Sequence, residues 1–416
     1  MTLSEELKWR GFINQTTLSD IKVLDNKKQP VFYHGYDASA DSQTVGNLAA
    51  MMLDRCFLRH GYNAIILAGG ATSLIGDPGG KDAERELQTP ATVARNVKAA
   101  EKQVKKVFSG YKFTMVNNLD WTKSLTVLSF LRDIGKHFSM TPLIQRDYIA
   151  KRLGESGPGI SYAEFSYTLL QGMDYLYLYD KYNCTLQLGG ADQWGNCLSG
   201  VDLIRRARGI NVNAITLPLV VNKSTGKKFG KSEDGAIWLD PAKTSPTEFY
   251  QFWINTEDQS VEDYLKIFTE LDKTTVESTM RQHSAEPAAR IAQARLAEAV
   301  TVLVHGKTET ENSKKVTDYL TNQKPIDKAS WSDMKLIRSE ISDIRTSQTD
   351  TITDVLVKAG LATSKSQART FLSDGSVYIN NEVVKRDNFT PQDFKGGRLL
   401  LRRGKVLKNT ALVENS

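Results

Sequence analysis

Gly226-Lys227-Lys228-Phe229-Gly230-Lys231-Ser232 sets three lysines among glycines and a serine. A mobile cationic loop of this kind can close over a polyphosphate and neutralise charge building on leaving oxygens. A lysine-rich surface turn has the same composition. Upstream, Ser161-Tyr-Ala-Glu164 has the form of a capping box that opens a helix. Within that helix Tyr167, Gln171 and Asp174 recur at steps of four and three, which puts a phenol, an amide and a carboxylate on one face. Phe165, Leu169 and Met173 fall away from that stripe, toward a core. Such a polar face is expensive to bury unless a polar partner meets it, and a partly solvated face is the alternative. In Leu188-Gly-Gly-Ala-Asp192-Gln193-Trp-Gly-Asn196, two glycines allow close backbone approach. Asp192 then stands where a carboxylate accepts from ribose hydroxyls, or where it caps the next helix. In the loop Gly69-Gly70-Ala-Thr-Ser-Leu-Ile-Gly76-Asp77-Pro78-Gly79-Gly80-Lys81, Asp77 is a candidate anchor for an ammonium group. Lys81 and Arg85 follow on a glycine-flanked segment suited to pyrophosphate or to solvent.

These residues need a frame to hold them. Val31, Phe32 and Tyr33 have the pattern of a buried strand end, which Gly35 breaks. Asp41 or Ser42 is expected to cap a helix running through Asn47, Leu48, Met51, Met52 and Leu53. Thr44-Val45-Gly46-Asn47 opens that helix; its first amides are unpaired and favour an anion, and Gly46 lets a flat ligand lie on the backbone. A strand-turn-helix that binds no nucleotide is the commoner use of the same pattern. Short apolar runs at Asn63–Ala68, Lys112–Val116, Thr185–Leu188 and Ile215–Val221 each end in Gly or Asn, and helical stretches such as Thr92–Val107 and Cys197–Arg208 lie between them. This alternation predicts an α/β fold with a doubly wound parallel sheet and a ligand site at the C-terminal strand ends.

After Lys243 the pattern turns helical. Ser245-Pro246-Thr247-Glu248 is an N-cap signature, and Ala288–Val304 is a long amphipathic run stopped at His305-Gly306. Thr308–Gln348 is polar and weakly periodic, so a loosely packed connector is expected there. Beyond it come a helix at Ile352–Ala359, another after Ser364, and a hairpin turning at Asn380-Asn381. The expected division is 1–225, 226–330, a linker at 331–350, and a small α+β module at 351–416.

Composition bounds the rest. At 416 residues the chain exceeds a single core, and 40% hydrophobic with 25% charged residues is ordinary for a globular protein. No apolar run approaches a membrane span, and Glu5 and Glu6 sit where a secretory signal or presequence would lack acids. Three cysteines without paired or metal-site spacing fit a reduced cytoplasm and no structural zinc. Residues 351–416 hold 11 Lys+Arg against 6 Asp+Glu, so most of the net charge of +6 lies in the last module. A basic terminal module is how an accessory nucleic-acid-binding domain looks, and also how a solvated basic surface looks.

Tyr33-His34-Gly35-Tyr36-Asp37-Ala-Ser39-Ala-Asp-Ser42, the Gly69–Pro78 loop, the Tyr167, Gln171 and Asp174 helix, Gly189–Asn196 and Lys228–Ser232 occur in that order. Together they resemble the class I tyrosyl-tRNA synthetases of bacterial type. The likeness runs end to end, through Trp253-Ile-Asn-Thr256 and Leu303-Val-His-Gly306, and Thr351–Lys405 resembles an S4-type RNA-binding domain. The resemblance implies a Rossmann-like catalytic domain, an anticodon-binding-type helical domain and an S4-like module. The implied reaction converts L-tyrosine and ATP, with Mg2+, to tyrosyl-adenylate and diphosphate, then passes the tyrosyl group to tRNA(Tyr). By resemblance, Tyr33 and Asp174 hold the substrate phenol, and Asp77, Tyr167 and Gln171 hold its ammonium group with Gln193 alongside. Gly35, Asp37, Ser39, Gly46, Gly190 and Asp192 line the ATP site, Asp192 on the ribose. Lys228 and Lys231 clamp the phosphates, with Thr44, Asn47, Lys81 and Arg85 assisting. A cytoplasmic homodimer with contacts in Tyr111–Phe138 is also implied.

One departure stands out. The family's His-Ile-Gly-His signature is Thr44-Val45-Gly46-Asn47 here, and His34 occupies a position where a smaller residue is common. Losing one charge-stabilising donor typically costs about 10²–10³ in kcat, which the Thr44 hydroxyl and the lysine loop are expected to offset. Two other readings fit parts of the pattern. One is a tryptophanyl-type synthetase, which the C-terminal module and the Tyr33/Asp174 pair oppose. The other is a catalytically weakened paralogue acting as an RNA-binding factor, which only Thr44 favours.

Overall fold

The apolar runs do form strands. In the computed structural model these are β1 (Gln15–Thr16), β2 (Val31–Tyr36), β3 (Asn63–Ala68), β4 (Phe113–Asn117), β5 (Cys184–Gly190) and β6 (Asn213–Leu217). They make one six-stranded sheet in the order β1-β6-β5-β2-β3-β4, parallel except for β1 against β6. The order reverses between β2 and β5, so the chain leaves those two strand ends in opposite directions and a crevice opens there. The structure describes residues 1–26, 30–77, 87–154, 157, 159–223, 226, 229–232, 235–347 and 350–415. They divide into two compact units, Met1–Asp240 with Glu257–Pro287, and Pro241–Thr256 with Ala288–Ser416.

The first unit packs helices α1 (Val45–Arg59), α2 (Pro90–Val107), α3 (Tyr162–Tyr182) and α4 (Trp194–Arg208) around the sheet. Leu48, Met51, Met52 and Leu53 of α1 are buried, as their spacing requires. Met173, Tyr175 and Leu176 of α3 join Tyr33, Ile65 and Leu67 in one core, while Phe165 and Leu169 pack with Leu143 and Ile149. Ser161 caps α3 by accepting from the Glu164 amide at 3.2 Å. The Glu164 carboxylate forms a buried bidentate pair with Arg152, 2.9 Å on each arm. The cap of α1 differs from expectation: it is Thr44, in extended conformation, rather than Asp41 or Ser42. Ser42 faces another way, donating to the Gln43 carbonyl and accepting from the Gln103 amide, both at 2.9 Å.

In the second unit the helix Pro246–Ile254 starts at its Ser245 cap with proline in the first turn, and Ile291–His305 is the long amphipathic helix. The C-terminal sheet runs Glu382–Val384, Val377–Ile379, Arg398–Arg403, Thr410–Asn415 and Ser342–Thr346, the last pair parallel. Asn380 and Asn381 take φ of +48° and +70°, the left-handed pair that a two-residue hairpin turn needs. Ile352, Val355, Leu356, Ala368 and Leu372 fill the core against Leu399, Leu401, Ala411 and Val413.

The segment expected to be a loose connector is ordered. Lys307–Leu320 and Trp331–Glu340 are helices, and Ser342–Thr346 is an edge strand. Val316, Tyr319, Leu320, Met334, Ile337 and Ile341 close over Leu400, Leu407 and Leu412. The apolar residues are too sparse for a strong period, yet each meets the back of the sheet. Ile337 is fully buried. Ile337→Ala is therefore expected to cost about 2–5 kcal/mol in the urea transition that carries this unit, where an exposed connector residue would leave the midpoint unmoved.

Candidate active site

A cavity of about 500 Å³ occupies the crevice at the ends of β2 and β5. Tyr33, Gly35, Asp37, Thr44, Gly46, Asn47, Asp77, Tyr167, Gln171, Asp174, Gly190, Asp192 and Gln193 all line it. Most of the residues singled out in the sequence are thus brought together. Ser39 is the exception among described residues: it is exposed and outside the lining, with its carbonyl accepting from Gln88 at 2.6 Å. Lys81, Arg85 and Lys228, and the Lys231 side chain, lie outside the described residues.

The closed end is built from three strand and helix positions. Tyr33 is buried with its ring 5.0 Å from Tyr175, and its hydroxyl has no hydrogen-bond partner among the described residues. Burial, and after it Cys197 and Asp174, push this phenol well above its ordinary pKa, so it stays a neutral donor. Asp174 is 2% exposed. Its two oxygens accept from Asn118 Nδ2 at 2.9 Å and Trp121 Nε1 at 2.8 Å. Burial raises its carboxyl to about 7, with the two donors pulling the other way. Gln187, register partner of Tyr33 across β5–β2, also lines the cavity, and its buried Oε1 has no partner among the described residues. The unpaired phenol hydroxyl and the unpaired amide oxygen each leave about 1–3 kcal/mol to be recovered by a polar ligand atom.

Asn118, Trp121 and Gln187 were not singled out in the sequence. Gln187 had a signal, a polar residue inside a run that is otherwise buried strand. Asn118 stands at a strand end already marked by asparagines, and nothing local distinguishes Trp121.

Farther out, Asp77 accepts from Gln193 Nε2 at 2.6 Å, and Gln193 Oε1 accepts from Asn196 at 3.1 Å. Asp192 is exposed and is not a cap; Gln193 holds the position before α4. Gly190 lies close beneath it: a Cβ there would lie 2.6 Å from Asp192 Oδ1, so any larger residue would displace that carboxylate. On the opposite wall Asp37 accepts from Ser73 at 2.7 Å.

At the α1 end, Thr44 donates from both its amide (3.0 Å) and its hydroxyl (2.9 Å) to Asn47 Oδ1. The hydroxyl proton expected to offset the missing histidine is therefore engaged within the turn. The described part of the lysine loop lies against this turn. Val45 N donates to Ile237 O at 3.0 Å, Ile237 N donates to Gly230 O at 3.1 Å, and Thr44 bridges Trp238. A Cβ on Gly230, whose φ is +93°, would come within 3.0 Å of Val45 Cγ2 and 3.3 Å of Gly46 N. Glycine is required there for conformation and for closeness.

Comparison with known proteins agrees with this geometry. Residues 25–320 match the family model of class I tRNA synthetases (W and Y), and residues 333–413 match the C-terminal domain of tyrosine–tRNA ligases. The chain is 45% identical over 386 residues to the tyrosine–tRNA ligase of Staphylococcus haemolyticus, covering 91% of each. It is 42% identical to that of Streptomyces coelicolor over 99% of this chain and 98% of the other. Among solved structures, a C-terminally truncated mitochondrial tyrosyl-tRNA synthetase of Aspergillus nidulans superposes with a TM-score of 0.69 at 31% identity, over 77% of this chain and 94% of that one. With both of its parts matched and near full-length relatives of one kind, the chain belongs to the class I tRNA synthetases, among the tyrosine–tRNA ligases.

Proposed function

We propose that the cavity binds L-tyrosine and MgATP, forms tyrosyl-adenylate, and passes the tyrosyl group to the 3′-terminal adenosine of tRNA(Tyr). One observation carries the substrate assignment: the buried Tyr33 hydroxyl without a partner among the described residues, beside the buried Asp174 carboxyl. A phenol entering between them donates to Asp174 and accepts from Tyr33, satisfying both. A phenylalanine ring satisfies neither, and an indole presents its N–H at a different reach, which disfavours the tryptophan reading. Asp77, Tyr167 and Gln171 hold the ammonium group, with Gln193 beside it, and Gly35, Asp37, Gly46, Gly190 and Asp192 cradle the nucleotide.

The chemistry asks little of the protein beyond placement. The tyrosine carboxylate attacks the α-phosphorus, the bond to the bridging oxygen breaks, and diphosphate leaves. A hydroxyl of the tRNA terminal ribose then attacks the acyl carbon and AMP leaves. No side-chain base is required for the first step, so catalysis is alignment plus stabilisation of charge on the departing phosphates. Lys228 and Lys231, with Lys81 and Arg85, supply that positive charge, and Mg2+ enters as part of the nucleotide substrate. The basic C-terminal module grips the tRNA. A cytoplasmic location and a homodimer complete the reading. Exposed Val127, Leu128 and Leu131, within Tyr111–Phe138, support the latter.

The Asp174 carboxyl gives the site a pH signature. Its folded pKa is raised, so what it contributes to the stability of the free protein is present at low pH and lost as pH rises through about 7. A tyrosine phenol needs the ionised acceptor, so KM for tyrosine in ATP–diphosphate exchange is expected to fall about tenfold between about pH 6 and 8. Asp174→Asn should flatten that profile, and Tyr33→Phe should lower the tyrosine-over-phenylalanine ratio of kcat/KM by about 3–10-fold. Unchanged profiles and ratios would remove both residues from the phenol site.

The RNA grip has to rest on cations the fold leaves available. Lys358, Lys365, Arg386 and Arg398 are paired with Asp350, Asp354, Asp393 and Glu414, whereas Arg369, Lys385 and Lys405 are exposed without an ion pair among the described residues. Lys385→Ala with Lys405→Ala is expected to weaken tRNA charging and to make its logarithmic salt dependence shallower, by about 0.7–0.9 in slope for each phosphate no longer neutralised. Tyrosine-dependent exchange should stay as it was. Equal charging at every salt concentration would take those lysines out of the interface.

A further inference from the structure

The helix that carries Tyr167, Gln171 and Asp174 has a further polar position outside the cavity wall. Thr168 is buried, 3% exposed, and does not line the cavity. Its hydroxyl donates to Asn196 Oδ1 of α4 and accepts from Arg146 Nη1 at 2.6 Å. The other arm of that guanidinium, Nη2, donates to Ser199 of α4, also at 2.6 Å. Asn196 Nδ2 donates to Gln193 Oε1 at 3.1 Å, and Gln193 Nε2 donates to Asp77 Oδ2 at 2.6 Å. Gln193 and Asp77 both line the cavity. One line of hydrogen bonds thus runs from Arg146 to Asp77, crossing from α3 to α4 on the way.

Both ends of this line have fixed polarity, because a guanidinium only donates and a carboxylate only accepts. Arg146 occupies a lone pair of Thr168, which directs the hydroxyl proton to Asn196. With Oδ1 engaged, Asn196 presents Nδ2 to Gln193. Gln193 in turn presents Nε2 to Asp77 and, at 3.5 Å, to Asp192. Turned the other way, the Gln193 amide would set an oxygen against two carboxylates. Thr168, Asn196 and Ser199 are all buried, and apolar side chains of matching shape would fill such a helix contact at little cost. What they would not do is choose which end of an amide faces the acid.

We propose that Thr168 and Asn196 are positioning residues for the amino end of the substrate, with Arg146 as the donor that sets their direction. Through Gln193 they hold the Asp77 carboxylate where it meets the ammonium group of tyrosine. The inference rests on the tyrosine reading above and adds the residues, none of them in the cavity wall, that orient its ammonium anchor.

Thr168→Val keeps the shape and removes the hydroxyl, and tyrosine-dependent ATP–diphosphate exchange reads the effect. Tyramine serves as competitive inhibitor, since it has the phenol and the ammonium group but no carboxylate to be activated. Thr168→Val is expected to raise KM for tyrosine and Ki for tyramine about 3–10-fold. KM for ATP and the tyrosine-over-phenylalanine ratio of kcat/KM should stay within about twofold, because the nucleotide and phenol ends are not touched. Thr168→Ser, which restores the hydroxyl, should return both raised constants to within about twofold of wild type. Arg146→Met should move them in the same direction as Thr168→Val. The double variant should be no worse than Thr168→Val alone, because Arg146 acts through Thr168. If Thr168→Val does not fold, Arg146→Met carries the same comparisons. An active Thr168→Val protein with unchanged tyramine inhibition overturns the inference and leaves the proposed function standing. So does one whose KM for ATP rises as far as KM for tyrosine, which marks a packing defect, or a Thr168→Ser protein as impaired as Thr168→Val. A wild-type protein with no tyrosine-dependent exchange overturns the proposed function, and this inference with it.

Discussion

Taking the Asp174 carboxyl wholly out of water is the condition to which the rest of the pocket answers. An unpaired acid there would be strongly destabilising, so donors must be brought to it from outside its own helix. They come from the segment after β4, as the Asn118 amide and the Trp121 indole. Asn118 is held in turn, accepting from the Ala71 amide at 2.7 Å and donating to Thr72 at 3.1 Å. One acid thereby ties the ends of β3 and β4 to α3. Both donors reach it from one group of loops, so its remaining acceptor capacity is directed at the cavity. The same desolvation that makes the group expensive makes it selective, because only a ligand that brings a donor to it compensates for keeping it there.

The sheet supplies a second constraint. Because β2 lies between β3 and β5, its end is flanked on both sides, and its side chains alternate between α3 and α1. Tyr33 and His34 are neighbours in sequence yet serve opposite walls. A ligand with an aromatic end and a nucleotide end can span this strand end only by crossing it, and Gly35 is where the wall has no side chain to obstruct it. Gly230, in the described part of the lysine loop, is tied to the start of α1 through backbone bonds at Ile237 and Val45.

Legibility from the sequence followed the range of the forces involved. The Ser161 and Ser245 caps, the Asn380-Asn381 turn and the apolar runs of the parallel strands depend on neighbours within a few residues, and the structure has them where the pattern put them. Asn118 and Trp121 depend on an acid more than fifty residues away, and no local period marks such a partner. Ser342–Thr346 is a largely exposed edge strand whose pairing with Thr410–Asn415 crosses most of the module, so it shows no alternation to read. The α1 cap was misplaced for a related reason. Asp41, Ser42 and Thr44 are all cap formers, and what selects Thr44 is Asn47 one turn on, together with the bridge to Trp238.

That selection bears on the altered signature. Asn47 lines the cavity, and its Oδ1 receives both Thr44 donors, which leaves Nδ2 as the end of the amide that the turn does not engage. The turn therefore still offers one side-chain donor beside the α1 amides, a neutral one. What it lacks is a group able to carry positive charge, and the Thr44 hydroxyl cannot stand in, since its proton is already committed to Asn47. Charge stabilisation at this end has to come from elements other than α1, which places the burden on the lysine loop.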